Sequence, residues 1–439
     1  MIELRFSIYY KKFKSEYLKV KLEEGLHIVY GESGSGKSAF IKFISNYGLD
    51  LKKVNYVITD IHHPGKLYII FQNPDQQIIG RTLISELAFS SECSGINPDK
   101  IEKIVADGLK MLPYSFDPNR NPAFLSGGEK EILNLITTMQ TNADVILIDD
   151  GLSFLSENNK KEFVDLLKYW SNKEDKIIVW FTSNWSDLGY SESRWKLDLA
   201  SFEKVNTLEK KDYNKIFISP GELSLHVDQV TFSYNDRDIF NNFNISLMKC
   251  RFLGILGNNG SGKTTLAGLI NGHLKPSSGT IKIEINGSSD ITTGYLDQFP
   301  ENLIRLNTPA ELMEGLIENG IFDPAISKTF YKQLLRFQIL WDQIADQKGI
   351  ELTWVILRTM LLVLMAHCNY DLLILDEPTF GLGHEQKKTL RSFLKECMDT
   401  KHLFIVSHDQ NFVQSICDQI IFMDEKKHIY NENINLERI

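Results

Sequence analysis

Short continuous apolar runs, rather than alternating ones, punctuate this chain, and each ends at a polar or glycine-rich turn. The first half carries Leu26–Tyr30, Leu67–Phe71, Val145–Ile148 and Lys176–Phe181; the second carries Phe252–Leu256, Leu372–Leu375 and Leu403–Val406. Unbroken apolar runs of strand length, separated by stretches of helical length, predict strands buried on both faces of mainly parallel sheets. Helices are expected at 38–45, within the variable region 82–120, and from the Leu125 motif to about Gln140. The longest apolar stretch, Val355–Ala366, reads as a buried helix; it is too short to span a bilayer and contains Arg358. No membrane span and no amino-terminal signal sequence are expected.

The pattern occurs twice. Two glycine-rich segments end in lysine, and Lys263 follows Lys37 by 263 − 37 = 226 positions. Gln298 follows Gln72 by 298 − 72 = 226, and Asp376 follows Asp149 by 376 − 149 = 227. A nearly constant offset over features this far apart indicates internal duplication. The expected division is a first domain at 1–205, a charged, Pro-Gly-broken linker at 206–225 and a second domain at 226–439.

Composition adds exclusions. At 439 residues and 43% hydrophobic, the chain suits two globular domains with their own cores. A net charge of −9 argues against broad nucleic-acid binding, and no nucleic-acid partner is expected. Five scattered cysteines without a Cys-x-x-Cys pair indicate reduced thiols. The Lys11, Lys12, Lys14 patch reads as a solvated face, and His62–His63 and His367–Cys368 lack metal-ligand spacing.

The chemistry sits in the glycine-rich segments. Gly31-Glu32-Ser33-Gly34-Ser35-Gly36-Lys37-Ser38 and Gly257-Asn258-Asn259-Gly260-Ser261-Gly262-Lys263-Thr264-Thr265 each lie between a strand and a helix. Such a turn points several backbone N–H groups at one phosphate, and the helix amino terminus and the lysine add positive potential. Ser38 and Thr264 offer a hydroxyl to Mg²⁺, and Asp149 and Asp376, each closing an apolar strand, supply the second metal-site element. ATP and Mg²⁺ are the implied ligands.

Three further motifs carry a resemblance. Leu125-Ser126-Gly127-Gly128-Glu129, Leu375-Asp376-Glu377-Pro378-Thr379 and Val406-Ser407-His408-Asp409 together resemble the ATP-binding-cassette (ABC) ATPases over nearly the whole chain. The resemblance implies an α/β protein of two tandem P-loop NTPase cassettes, each with a mainly parallel core sheet and a helical subdomain. It implies that the fused cassettes pair head to tail, each ATP lying between one phosphate loop and the other cassette's signature. Glu377 then acts on the attacking water, His408 on the γ-phosphate, and Gln298 and Gln72 join metal and water. Ser126, Gly127, Gly128 and Glu129 complete the site of the second phosphate loop, which is expected to be competent.

The other site departs from the family. Asp150 replaces the glutamate, and Asn184 is expected where the histidine belongs. Counting back from Asp376 puts Leu352-Thr353-Trp354-Val355-Ile356 at the second signature, where Trp354 cannot offer a glycine's bare backbone; a gapped alignment puts Asp346–Gly349 there instead. Phe380-Gly381-Leu382-Gly383 also lacks the family's usual aspartate, and so does Ser153–Ser156 in the first copy. One hydrolysing and one degenerate site are expected.

Tyr234, in Val230-Thr231-Phe232-Ser233-Tyr234, resembles the family's adenine-stacking aromatic; Tyr9 or Tyr10 is the first-cassette candidate. Phe71-Gln72-Asn73-Pro74-Asp75-Gln76-Gln77-Ile78 resembles the Gln-containing loop of ATPases in energy-coupling-factor (ECF) importers of vitamins or metal ions. That implies integral membrane partners, a transmembrane coupling protein and a substrate-binding membrane component, with this chain peripheral on the cytoplasmic face. The rival class is a soluble tandem ABC ATPase acting on the ribosome.

Overall fold

A computed structural model describes all residues except 11–12, 15–17, 46–55, 63–64, 113–115, 199–200, 209–212, 235–236, 305, 399–400, 424–428 and 432–439. The calls on Lys11, Lys12 and His63 therefore lie outside the described residues, and of Tyr9 and Tyr10 only the backbone is described. The chain forms two compact units, Met1–Lys211 with Gly381–His384, and Asp212–Phe380 with Glu385–Ile439.

In the first unit, six strands form one sheet in the order Ser201–Lys204, Ser193–Asp198, Gly25–Tyr30, Ile177–Thr182, Val145–Asp149, Leu67–Ile70. All neighbours are parallel except the edge pair Ser201–Lys204 and Ser193–Asp198. Val145–Asp149 and Ile177–Thr182 are buried at every position, which is why they read as unbroken apolar runs. A separate antiparallel sheet pairs Ile2–Tyr10 with Leu18–Leu22, Tyr56–His62 and Phe13–Lys14.

The second unit repeats this plan. Its six-stranded sheet runs Thr293–Leu296, Leu372–Asp376, His402–Ser407, Phe252–Gly257, Gln419–Met423, Ile429–Asn431, parallel except for the last pair. An antiparallel sheet places Leu223–Tyr234 between Arg237–Cys250 and Ser278–Ile285. Matching helical segments follow the glutamine-bearing turns: Leu83–Cys93, Pro98–Met111 and Gly127–Met139 in one unit, and Pro309–Glu318, Ser327–Arg336 and Trp354–His367 in the other. The first helix of each set starts on a threonine capping box, Thr82 with Ser85 and Thr308 with Glu311.

The stretch expected as a linker is partly built into the second unit, whose first strand begins at Leu223. Ahead of it, the Ile216 N–H donates to Ser415 O at 2.8 Å, Arg251 Nε to Ser219 O at 2.9 Å, and the Arg391 guanidinium to Asn214 O while stacking on the Tyr213 ring. Among the described residues, no helix is long and apolar enough to cross a membrane.

Candidate nucleotide-binding sites

Each phosphate loop connects a central strand to a helix: Gly25–Tyr30 to Lys37–Ser45, and Phe252–Gly257 to Lys263–Ile270. The loops share one backbone path. Gly34 and Gly36 have φ of 84° and 94°, and Gly260 and Gly262 have 76° and 94°, a left-handed region that glycine enters without penalty. Gly257 is required for space as well, since a Cβ there would lie 2.1 Å from Met423 O. Both lysines fold over their own loop: Lys37 Nζ donates to Gly31 O at 2.8 Å, and Lys263 Nζ to Gly257 O at 2.9 Å and Asn258 O at 3.0 Å. Burial pulls the Lys263 ammonium below its ordinary pKa.

The residues called for Mg²⁺ lie beside these loops. Ser38 hydrogen-bonds Asp149, and Thr264 hydrogen-bonds Asp376. Burial raises both carboxyls, helped by the neighbouring acid: Asp149 to about 6 beside Asp150, Asp376 to about 7 beside Glu377. A hydroxyl and a buried carboxylate on one point suit a hard dication that keeps its remaining places for water and phosphate oxygen. Tyr295, unremarked in the sequence beyond its motif, adds a hydroxyl 3.4 Å from Asp376 Oδ2. Gln72 and Gln298 follow the edge strands at matched registers, Ile70 opposite Ile148 and Leu296 opposite Leu375.

The residues after the two aspartates sit alike and bond differently. Asp150 and Glu377 have φ of 50° and 51°, and their N–H groups each donate at 2.8 Å, to Phe181 O and Val406 O. Glu377 accepts from Ser407 Oγ at 2.8 Å and from His408 Nδ1 at 2.9 Å. A carboxylate only accepts, so Nδ1 carries the proton in this pair. Burial alone would raise the Glu377 carboxyl; His408, Lys263 and Ser407 together hold it below its ordinary value. Asp150 instead accepts from Ser183 N at 2.7 Å and from Ser183 Oγ at 3.2 Å, and its other oxygen stands 3.7 Å from Lys37 Nζ.

This register corrects one expectation. Asp149 pairs with Phe181 as Asp376 pairs with Val406, so Thr182 matches Ser407 and Ser183 matches His408. Asn184 is therefore the counterpart of Asp409, not of the histidine. Both cap the next turn, Asn184 accepting from Ser186 N and Asp409 from Phe412 N. Lys160 and Lys387, at matched positions (160 + 227 = 387), show the same equivalence. Lys387 pairs with Asp409 at 2.6 Å, and Lys160 with Asp187 at 3.2 Å, Asp187 also accepting from Asn184.

The second signature position is also located. Ser126 caps the helix Gly127–Met139 in a box with Glu129, after the turn Pro122–Phe124. Thr353 caps Trp354–His367 after the turn Gly349–Glu351, and Leu125 and Leu352 share φ of −78° with ψ of 149° and 147°. Both caps precede their strand aspartate by 23 positions (149 − 126 and 376 − 353). Leu352–Ile356 thus replaces the signature, and the Asp346–Gly349 alternative falls: Gly349 is turned onto Ile304 O, 2.3 Å from where its Cβ would be. Trp354 occupies the place of Gly127, its ring edge-on to Phe380 at 4.6 Å, and Thr353 makes no side-chain cap bond. Tyr234 closes its strand with a ring 44% exposed and edge-on to Phe232.

A family model described as ABC transporter matches residues 16–153 and 240–380. Proteins named ABC transporter ATP-binding protein are similar over most of both chains: one from Bacillus cereus is 24% identical over 93% of this chain and 86% of its own, and one from Methanosarcina mazei 24% over 97% and 94%. An energy-coupling factor transporter ATP-binding protein of Mesomycoplasma hyopneumoniae is 31% identical over 39% of this chain and 65% of its own. Among solved structures, an archaeal ribosome recycling factor in complex with a ribosomal stalk protein matches with a TM-score of 0.57 at 17% identity, covering 95% of this chain and 87% of that one. A model of ribosome-bound archaeal Pelota and ABCE1 matches at 0.67 and 16% identity over 95% and 76%; both likenesses concern the fold. Two matched segments, two phosphate loops and two sheets of one topology place this chain in the ABC transporter ATP-binding family, as an ATPase with two tandem cassettes.

Proposed function

We propose that the chain is the energy-coupling subunit of a membrane transporter, an ECF-type importer of a vitamin or metal ion, with one hydrolysing and one nucleotide-holding site. The observation that carries the asymmetry is the pair of carboxylates: Glu377 is paired with His408, whereas Asp150 is tied to Ser183 and lies near Lys37. Glu377 orients or deprotonates the attacking water, the His408 ring addresses the γ-phosphate, and Thr264 and Asp376, with Gln298, would hold Mg²⁺. If the units pair head to tail as the family's cassettes do, the capped Ser126–Glu129 helix end would belong to the site of this ATP, and Leu352–Ile356 to that of the ATP on Lys37. An indole where a bare glycine amide is needed keeps the N–H but crowds a phosphate's close approach to it.

Exposed apolar side chains support a membrane-embedded partner. Ile79 is 65% exposed and Phe124 75% in the first unit, and Leu303, Leu306 and Ile350 are exposed in the second. The Gln72 turn that presents Ile79 is firmly built: Gln77 bridges Phe71 N and Ile69 O, and Glu86 accepts from Ile79 N and Gly80 N. The ECF importer ATPase relative adds sequence support over 39% of the chain. The test is capture of partners by the Glu377→Gln variant from detergent-solubilised native membranes with ATP present. Co-purifying polytopic membrane subunits support the reading; ribosomes without membrane subunits replace it with the ribosome-acting class.

A further inference from the structure

The helix that lost its signature glycines carries a cation at its core-facing side. Arg358, in Trp354–His367, is 2% exposed. Its Nη1 donates to Gln298 O at 2.6 Å, and its Nη2 donates to Asp376 O at 2.8 Å and to Glu377 O. The guanidinium lies 4.9 Å from the Trp354 ring centroid and 5.9 Å from that of Phe380. One planar fork thus spans two segments far apart in sequence, the glutamine turn and the end of the central strand. Lysine has a point charge and cannot hold both in one geometry.

The first unit does this differently. The matched position is Glu131 (131 + 227 = 358), whose carboxylate accepts from Ser153 N at 3.0 Å and Phe154 N at 2.9 Å, on the loop beyond Asp150. There the helix grips the glutamine turn further along, through Lys130 with Asp75 at 2.8 Å and Asn134 Nδ2 with Pro74 O at 3.0 Å. In the second unit, a single side chain binds the backbone of the metal residue, the water-activating glutamate and the glutamine together. Glu377, like Asp150, holds a left-handed φ without being glycine, and in the second unit the guanidinium grips its carbonyl directly.

We propose that Arg358 is a positioning residue for ATP hydrolysis in the second unit, fixing Glu377 and Gln298 relative to one another and to Asp376. The Trp354 ring, in taking the glycine's place, covers the guanidinium and keeps it on these carbonyls. The proposal rests on the reading that the Glu377 site turns over ATP. Its acceptors belong to the hydrolytic side of the site rather than to the phosphate loop, so its loss acts on kcat.

The test is steady-state hydrolysis of Mg–ATP by the purified full chain, with thermal midpoints, for Arg358→Met, Arg358→Lys and Glu377→Gln. A displaced supporting side chain costs roughly 10- to 100-fold in activity. Arg358→Met is expected to lower kcat by that factor with KM within about threefold, and Arg358→Lys to recover part of the loss with a wild-type midpoint. If Arg358→Met does not fold, Arg358→Lys alone decides, with kcat lowered at unchanged KM expected. Wild-type kcat in a folded Arg358 variant, while Glu377→Gln is inactive, overturns the positioning role alone. Wild-type turnover in Glu377→Gln overturns the underlying reading and the proposal with it.

Discussion

His408 Nδ1 lies 2.9 Å from Glu377 Oε1, and in the first unit the same point of the fold is occupied by Ser183 and Asp150. The imidazole gives the second unit an oriented, protonated nitrogen beside a glutamate held in its ionised form. Both carboxylates accept from the matched amide, His408 N at 3.1 Å and Ser183 N at 2.7 Å, and from a serine hydroxyl; the first unit differs in having a shorter carboxylate, a serine instead of the imidazole, and Lys37 Nζ 3.7 Å away.

The two signature-position helices should respond differently to loss of their caps. Ser126 makes a reciprocal box with Glu129, while Thr353 makes no side-chain cap bond. Ser126→Ala is expected to cost about 1 kcal/mol of stability and most of the ATPase activity. Thr353→Ala should change neither by a measurable amount. Thermal melts and steady-state hydrolysis of the two variants check this, and equal activity losses would contradict it.

Tyr234 is expected to stack the adenine. Removing an aromatic platform costs about 1–3 kcal/mol per base, so Tyr234→Ala should raise the KM for ATP by roughly tenfold. Tyr234→Phe should leave it unchanged. A KM for Tyr234→Ala equal to wild type would show that the exposed ring has no nucleotide role.

The first unit should lose stability in mild acid. His27 is buried, with Nε2 2.7 Å from Glu23 O and Nδ1 2.7 Å from Ser193 Oγ. The carbonyl requires Nε2 to donate, which leaves Nδ1 to accept from the hydroxyl: a neutral ring. Burial holds its pKa below the ordinary 6.5. The unfolded chain therefore takes up the proton first, and stability present above pH 6.5 falls as pH drops toward the folded value. His27→Gln should show a smaller fall in thermal midpoint between pH 7.5 and 5.5 than wild type does; an equal fall would place the acid sensitivity elsewhere.

The central sheets were legible because their strands are covered on both faces, which forces unbroken apolar runs such as Val145–Ile148. The phosphate loops were legible because left-handed φ and close approach demand glycine at fixed positions. The antiparallel sheets were less legible: Leu223–Val227 and Val230–Tyr234 do alternate apolar and polar residues, but the register shift between Val227 and Val230 breaks the pattern in two, and the unbroken runs of the central sheets are the stronger signal. The histidine counterpart was misread because Ser183 invited alignment with Ser407. The connection from Asp149 to Phe181 is two residues longer than that from Asp376 to Val406 (181 − 149 = 32 against 406 − 376 = 30), so counting could not correct it. Arg358 looked only like a flaw in an apolar helix, since its acceptors are backbone carbonyls that leave no trace in side-chain identity.

The account turns on one site hydrolysing and the other holding nucleotide. Its most direct test is the ATPase rate of Glu377→Gln beside that of Asp150→Asn, each in the full chain with Mg–ATP. Loss of an oriented general base costs about 10²- to 10⁴-fold. The account predicts a fall of that order for Glu377→Gln and less than about twofold for Asp150→Asn, since that site is not turning over. Equal losses from the two substitutions would contradict it.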